Sequence, residues 1–181
     1  MKTLLLSAAL SVSVAGGAAL AQDMPFGTDA DAEYAQTLWE AMQALNLVGP
    51  GMIRGTPYEG TDPHGMMLET FYTKTTIGGH EGDLIVKRNF GPEGVSAEEV
   101  LRDPGSHLGA YTVMFRREAG YDPDNLDWFW AKYLPDGTLD KTPNGMGMAG
   151  RVAKGMDTGC IACHQAASDD MVFTSDHLVA D

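Results

Sequence analysis

Apolar and polar positions recur with two different periods along this chain. Over 29–46, "DADAEYAQTLWEAMQALN", Tyr34, Leu38, Ala41, Met42 and Leu45 fall on one face at helical spacing, which predicts an amphipathic helix. Thr28 or Asp29 can cap its start, and "NLVGPG" ends it. Beyond Gly51 the period shortens. "MLETFYTKTT" (67–76) alternates Leu68, Thr70, Tyr72 and Lys74 with Glu69, Phe71 and Thr73. "DLIVKRNF" (83–90), "AYTVMFRRE" (110–118) and "DWFWAKYL" (127–134) are rich in β-branched and aromatic residues and are bounded by Gly, Pro or Asp. All four segments predict strands. "IGGHEGD" reads as the hairpin between the first two, and "YDPDNLD" and "LPDGTLD" as turns. "SAEEVLRD" (96–103) predicts a short helix, with Ser96 as cap and Glu99 at capping-box distance. The glycine-rich stretch 141–159 has no clean period and reads as a loop. The expected fold class is α+β: an antiparallel sheet of four or five strands, helices packed on it, and a C-terminal helix at "CIACH".

The first residues change the setting. "MKTLLLSAALSVSVAGGAALA" has one positive charge, an apolar run and a small-x-small end, the pattern of a signal peptide over 1–21. Residues 22–181 are then expected to form a single exported domain, placed in the periplasm. That portion carries 11 Lys and Arg against 25 Asp and Glu, a net charge of −14. A phosphate backbone would be repelled by such a surface, so nucleic acid is not expected as a partner.

Export makes the cysteines informative. Cys160 and Cys163 are the only two, and they stand in "GCIACHQAASDD". An oxidising compartment favours disulfides, yet a separation of three closes a small strained loop. C-x-x-C-H is the attachment signal for a c-type haem. Two thiols on one helical turn meet the two vinyl groups, and His164 beside the second supplies an axial nitrogen to the iron. Two other readings stand beside it. A zinc site needs two more ligands, for which His107 or His177 would serve. A redox dithiol has no use for the trailing histidine. One covalent haem accounts for the cysteines, the histidine and the export together.

"GDLIVKRNF", "DWFWAKYLPDG", "NGMGMAGRVAKG" and "CIACHQAASDDMVFTSD" resemble the cytochrome P-460 family, which is related to cytochrome c′-beta. The resemblance runs from about Pro57 to the C-terminus. It implies a mainly antiparallel β fold, often dimeric, ending in a haem helix. It also implies a five-coordinate haem held by Cys160, Cys163 and His164. In the P-460 enzymes a strand lysine is bonded to the macrocycle, and Lys87 is the matching position, with Lys74 the runner-up. Those enzymes oxidise hydroxylamine, while the c′-beta relatives bind nitric oxide. The expected activity is redox chemistry on hydroxylamine or nitric oxide, with electrons passing to a soluble partner cytochrome. The alternative is a non-enzymatic module that binds nitric oxide or carries electrons.

The side opposite His164 decides between these. An open position admits small ligands, whereas a second protein ligand makes an electron carrier. Met146, Met148, Met156 and Met171 read as core filler and His80 as an exposed turn residue. His64, in "TDPHGMM", reads as a turn residue bonded to backbone, with a place in the haem pocket as the lesser alternative. An open position is therefore expected. Glu69, Glu81, Asp157, Asp169 and Asp170 are candidate proton acceptors. Phe71, Tyr72, Phe115, Trp128, Phe129, Trp130 and Phe173 are candidates for an apolar wall. Arg151 is a candidate partner for a haem propionate, because a guanidinium pairs bidentately with carboxylate.

Overall fold

Six strands in a computed structural model run in sequence order through one antiparallel sheet, and the structure describes residues 26–173. The expected signal peptide and His177 lie outside the described residues. The strands are β1 (Tyr58–Glu59), β2 (Met67–Ile77), β3 (His80–Phe90), β4 (Leu108–Arg116), β5 (Trp128–Tyr133) and β6 (Ala149–Gly150). Four are the predicted ones. The sheet has six strands rather than the expected four or five; the two beyond the four predicted segments are the two-residue edges β1 and β6, too short to show any period in sequence. Gly78 and Gly79, both at positive φ, make the tight turn between β2 and β3. The pairing continues to the turn itself, so β3 starts three residues earlier than its apolar run. The mixed α+β class holds.

Helix α1 (Asp29–Ala44) starts where the pattern says it should. The Thr28 hydroxyl accepts from the Asp31 amide, and the Asp31 carboxylate accepts from the Thr28 amide, both at 3.1 Å. This capping box satisfies two otherwise orphan donors. The helix buries Ala35, Leu38, Trp39 and Met42. Leu45, expected on that face, is the C-cap and is exposed. Two short helices, α2 (Ala97–Arg102) and α3 (Pro104–His107), join β3 to β4. The predicted Ser96–Glu99 capping box starts α2. Within 141–159 the chain makes β6 and then a run of turns into α4 (Cys160–His164). No described helix is long and apolar enough to cross a membrane.

Alternation gives the sheet two covered faces. On one, Val86, Val113, Phe115, Phe129 and Ala131 pack against α1. On the other, Ile85, Met114, Trp128 and Trp130 pack against Val152, Ile161, Met171 and Val172 of the C-terminal segment. Candidate wall residues therefore divide. Phe71, Phe115 and Phe129 serve the α1 face, and Trp128 and Trp130 the C-terminal face.

The α1 face also holds a buried ion pair. Arg88, only 1% exposed, donates to Glu69 at 2.7 Å and to the carbonyls of Leu47 and Ile53. Glu69 accepts from the Gly55 amide with its other oxygen. The guanidinium also lies 4.4 Å from the centre of the Phe71 ring. Arg88 is thus no solvated strand residue. It staples the 46–55 loop to β2 and β3, and it removes Glu69 from the list of proton acceptors near the cysteines.

Candidate functional site

The C-terminal face carries one polar row. Thr70, Lys87, Thr112 and Lys132 are direct cross-strand neighbours on β2, β3, β4 and β5. The next row toward the C-terminal segment is apolar: Ile85, Met114 and Trp130. Lys87 therefore faces the same side of the sheet as α4. Burial lowers its pKa, and only the nearby Cys163 opposes that effect. Among the described residues its ammonium has no hydrogen-bond or ion-pair partner. Lys132 pairs with Asp140 at 2.8 Å. Lys74, on the same face but toward the hairpin, is exposed and pairs with Asp83 at 2.5 Å.

Helix α4 begins at Gly159, whose φ is +124°. A Cβ there would stand 2.3 Å from the Ala153 Cβ, so glycine alone fits between the preceding turn and the helix. Cys160 is half-buried and Cys163 exposed, and both thiols are free. Burial pushes the Cys160 thiol pKa up. Gln165, just past α4, donates to Asn125 at 2.9 Å, tying the helix to the loop before β5.

His164 is 6% exposed, and its Nδ1 lies 2.8 Å from the Met171 carbonyl oxygen. A carbonyl only accepts, so Nδ1 carries the hydrogen and Nε2 keeps a bare lone pair. Burial lowers the His164 pKa; the Met171 bond opposes this and the Lys87 charge adds to it. The acceptor is built by the residues that follow the motif. Met171 adopts φ +62°, Ser168 bonds the Asp170 carboxylate, and Asp170 accepts from the Val172 amide. The Asp170 carbonyl accepts from the Trp128 indole at 3.0 Å. Met171 thus acts through its backbone, a role its side chain gives no sign of in sequence.

Three rings surround the His164 imidazole. Trp130 lies 4.7 Å away, Phe173 5.1 Å and His64 6.2 Å between centroids. The Trp130 indole nitrogen is buried and has no hydrogen-bond partner among the described residues. His64 sits in the expected turn, its amide donating to the Thr61 carbonyl at 3.0 Å, but its ring is bonded to a side chain. Its Nδ1 lies 3.2 Å from the Thr112 hydroxyl, which in turn is 3.4 Å from the Asn89 side chain. Burial, followed by the charges of Lys87, His164 and Lys132, pushes the His64 pKa down to about 4.

No protein-family model, curated protein or solved structure matches this chain.

The remaining candidates fall elsewhere. Arg151 lies 5.7 Å from the centre of the Tyr121 ring, which packs with the α1 cluster. His80 is half-buried at the hairpin, 3.1 Å from the Arg116 carbonyl, rather than exposed. His107 contacts the Gly91 carbonyl at 3.3 Å. Among the described residues no three His, Cys, Asp or Glu side chains converge as a metal-holding group. What the fold does bring together is Cys160, Cys163, His164, His64 and Lys87, drawn from α4, the turn before β2, and β3. Thr112, Asn89 and Trp130 complete the set. Thr112 and Asn89 are polar residues within apolar strands. That signal is visible in sequence, but it acquires a meaning only when the strand register aligns them with Lys87.

Proposed function

We propose that this chain is an exported, monohaem c-type protein of the cytochrome P-460 kind, with redox chemistry on small nitrogen oxides. Cys160 and Cys163 hold the haem covalently, and His164 binds the iron. Hydroxylamine or nitric oxide is the ligand, a soluble periplasmic cytochrome takes the electrons, and the chain works as a homodimer. The observation that carries this reading is the fixed tautomer of His164. A ligating histidine characteristically donates its other ring hydrogen to a carbonyl, which holds the ring and leaves the bonding nitrogen bare. The rest of the site fits the group. Two free thiols flank the imidazole on one turn, Trp130 and Phe173 supply aromatic walls, and the Trp130 indole hydrogen and the Lys87 ammonium both lack partners. When bound, haem supplies one-electron exchange and a site for a small ligand.

The chain's own groups divide the remaining work. The Met171 carbonyl orients His164. The buried Trp130 shields one side of the imidazole, and the half-exposed Phe173 lies beside it. Lys87, whose pKa is lowered by burial and which shares the sheet face of α4, would hold the macrocycle edge, as the matching lysine does in the family the chain resembles. Lys87→Ala is expected to shift a red-displaced Soret band of the reduced protein back to that of an ordinary c-type haem and to abolish hydroxylamine oxidation. Lys74→Ala should leave both unchanged, since Lys74 is exposed and paired with Asp83. An ordinary c-type spectrum already present in the wild type, with nitric oxide bound but hydroxylamine untouched, would give the non-enzymatic module instead.

A further inference from the structure

The three rings around His164 do not end in the same place. Trp130 is 2% exposed and His64 is half-buried, whereas Phe173 is 49% exposed. Its ring still lies 5.1 Å from the His164 imidazole, centroid to centroid. Phe173 is therefore the ring of the three that carries contact from the buried imidazole out to the surface. Cys163, one residue before His164, is exposed as well.

Other large apolar side chains of the site are exposed with it: Met66, Tyr72 and Met156. Met66 is two residues from His64, Tyr72 follows Thr70 on the C-terminal face of β2, and Met156 lies in the turn before α4. Burial, then the charges of Tyr58 and Asp170, push the Tyr72 pKa up to about 12, which puts Asp170 within electrostatic reach of that side chain. The charges around these side chains have one sign. Asp62, Asp157, Asp169 and Asp170 are exposed. Between Thr56 and Thr73, and again between Gly155 and Phe173, the chain has no Lys or Arg. Lys87, the cation of the site, is half-buried.

We propose that this surface, Phe173 with its apolar neighbours and acidic rim, docks a soluble electron-transfer protein whose redox edge is ringed by lysines. The proposal rests on the haem reading above and adds to it the place where the electron leaves. A second copy of this chain would bring acid against acid, and an anionic membrane would be repelled in the same way. A basic partner is drawn in. A small apolar centre inside a charged rim suits a transient redox contact, which must align two centres and then release. One electron passes from the ferrous iron on His164 to the partner's ferric iron. The first is oxidised, the second reduced, and no bond or proton moves.

The test uses the holoprotein and, as probe, a mitochondrial cytochrome c, a basic protein with lysines around its haem edge. Intact mass first reports whether haem is attached; a chain without it ends both the haem reading and this proposal. With haem attached, carbodiimide cross-linking of the wild type at low salt should join probe lysines to Asp62, Asp157 and Asp169, a map that needs no variant. The second-order rate of electron transfer from the reduced protein to the probe should fall at least about tenfold between about 10 and about 200 mM salt. Asp157→Lys combined with Asp169→Lys should lower the low-salt rate at least about tenfold with the optical spectrum unchanged. The same change of charge at Glu33→Lys with Glu40→Lys, exposed on α1 across the sheet, should lower it less than about threefold. Phe173→Ala should slow transfer and leave its salt dependence as it is. Cross-links confined to other carboxylates, equal losses from the two double variants, or a Phe173→Ala protein as fast as the wild type would each overturn the proposal and leave the haem reading standing. So would a dimer that Asp157→Lys with Asp169→Lys dissociates in sedimentation, because a second copy would then hold this surface.

Discussion

Arg88→Ala should lower the unfolding free energy by about 3–5 kcal/mol, the range for breaking one side of a buried ion pair. The substitution leaves the Glu69 carboxylate buried, 4% exposed on its side chain, with one amide donor from Gly55. It also removes the donors from the Leu47 and Ile53 carbonyls, and the cation from the face of Phe71. Denaturant titration should show a lower midpoint at an unchanged slope, because the loss is one of stability rather than of compactness. Hydrogen exchange should rise first over 46–55, the loop that Arg88 staples. The double variant Arg88→Met with Glu69→Gln should lose less than the two single changes added together, since it leaves no unpaired buried charge. Additive losses would contradict the pairing.

Acidification should destabilise the protein before its carboxylates titrate. The folded pKa of His64 is about 4 against an ordinary value of 6.5. Above pH 6.5 both states hold the ring neutral and nothing changes. Between 6.5 and about 4 the unfolded chain takes a proton that the folded chain refuses, so stability falls as pH falls. At about 1.4 kcal/mol per pH unit this amounts to about 3 kcal/mol across the window. Glu99 and Asp103, held down by bonds from Ser96 and Ser106, lose their stabilisation only as pH falls through a lower range. Unfolding midpoints followed from pH 7 to pH 4 should therefore fall more steeply in the wild type than in His64→Ala. Parallel slopes would mean that His64 is not buried as described.

Much of the fold was legible because local chemistry and tertiary packing agree. The α1 apolar face, the Ser96–Glu99 capping box, the Gly78–Gly79 turn and the four main strands all carry their own signals. The grouping of Cys160, Cys163 and His164 on one helical turn was legible from their spacing alone. The site was less legible where function depends on register. Lys87 and Arg88 are adjacent in sequence, yet strand alternation sends one to the C-terminal face and the other into an ion pair beneath α1. His64 is the turn residue its neighbours suggest, but its ring's partner was not legible, because only the pairing of the strands brings Thr112 within its reach. Met171 could not be read at all, since its contribution is a carbonyl that its own side chain does not advertise.

The central claim is covalent haem on Cys160 and Cys163. The direct test is to denature the purified wild-type chain in acid, extract with organic solvent and weigh the protein that remains. The account predicts that one haem per chain stays with the polypeptide, and that it leaves when both cysteines are replaced by alanine. Haem passing from the wild-type chain into the solvent, or zinc found in place of haem, would contradict it.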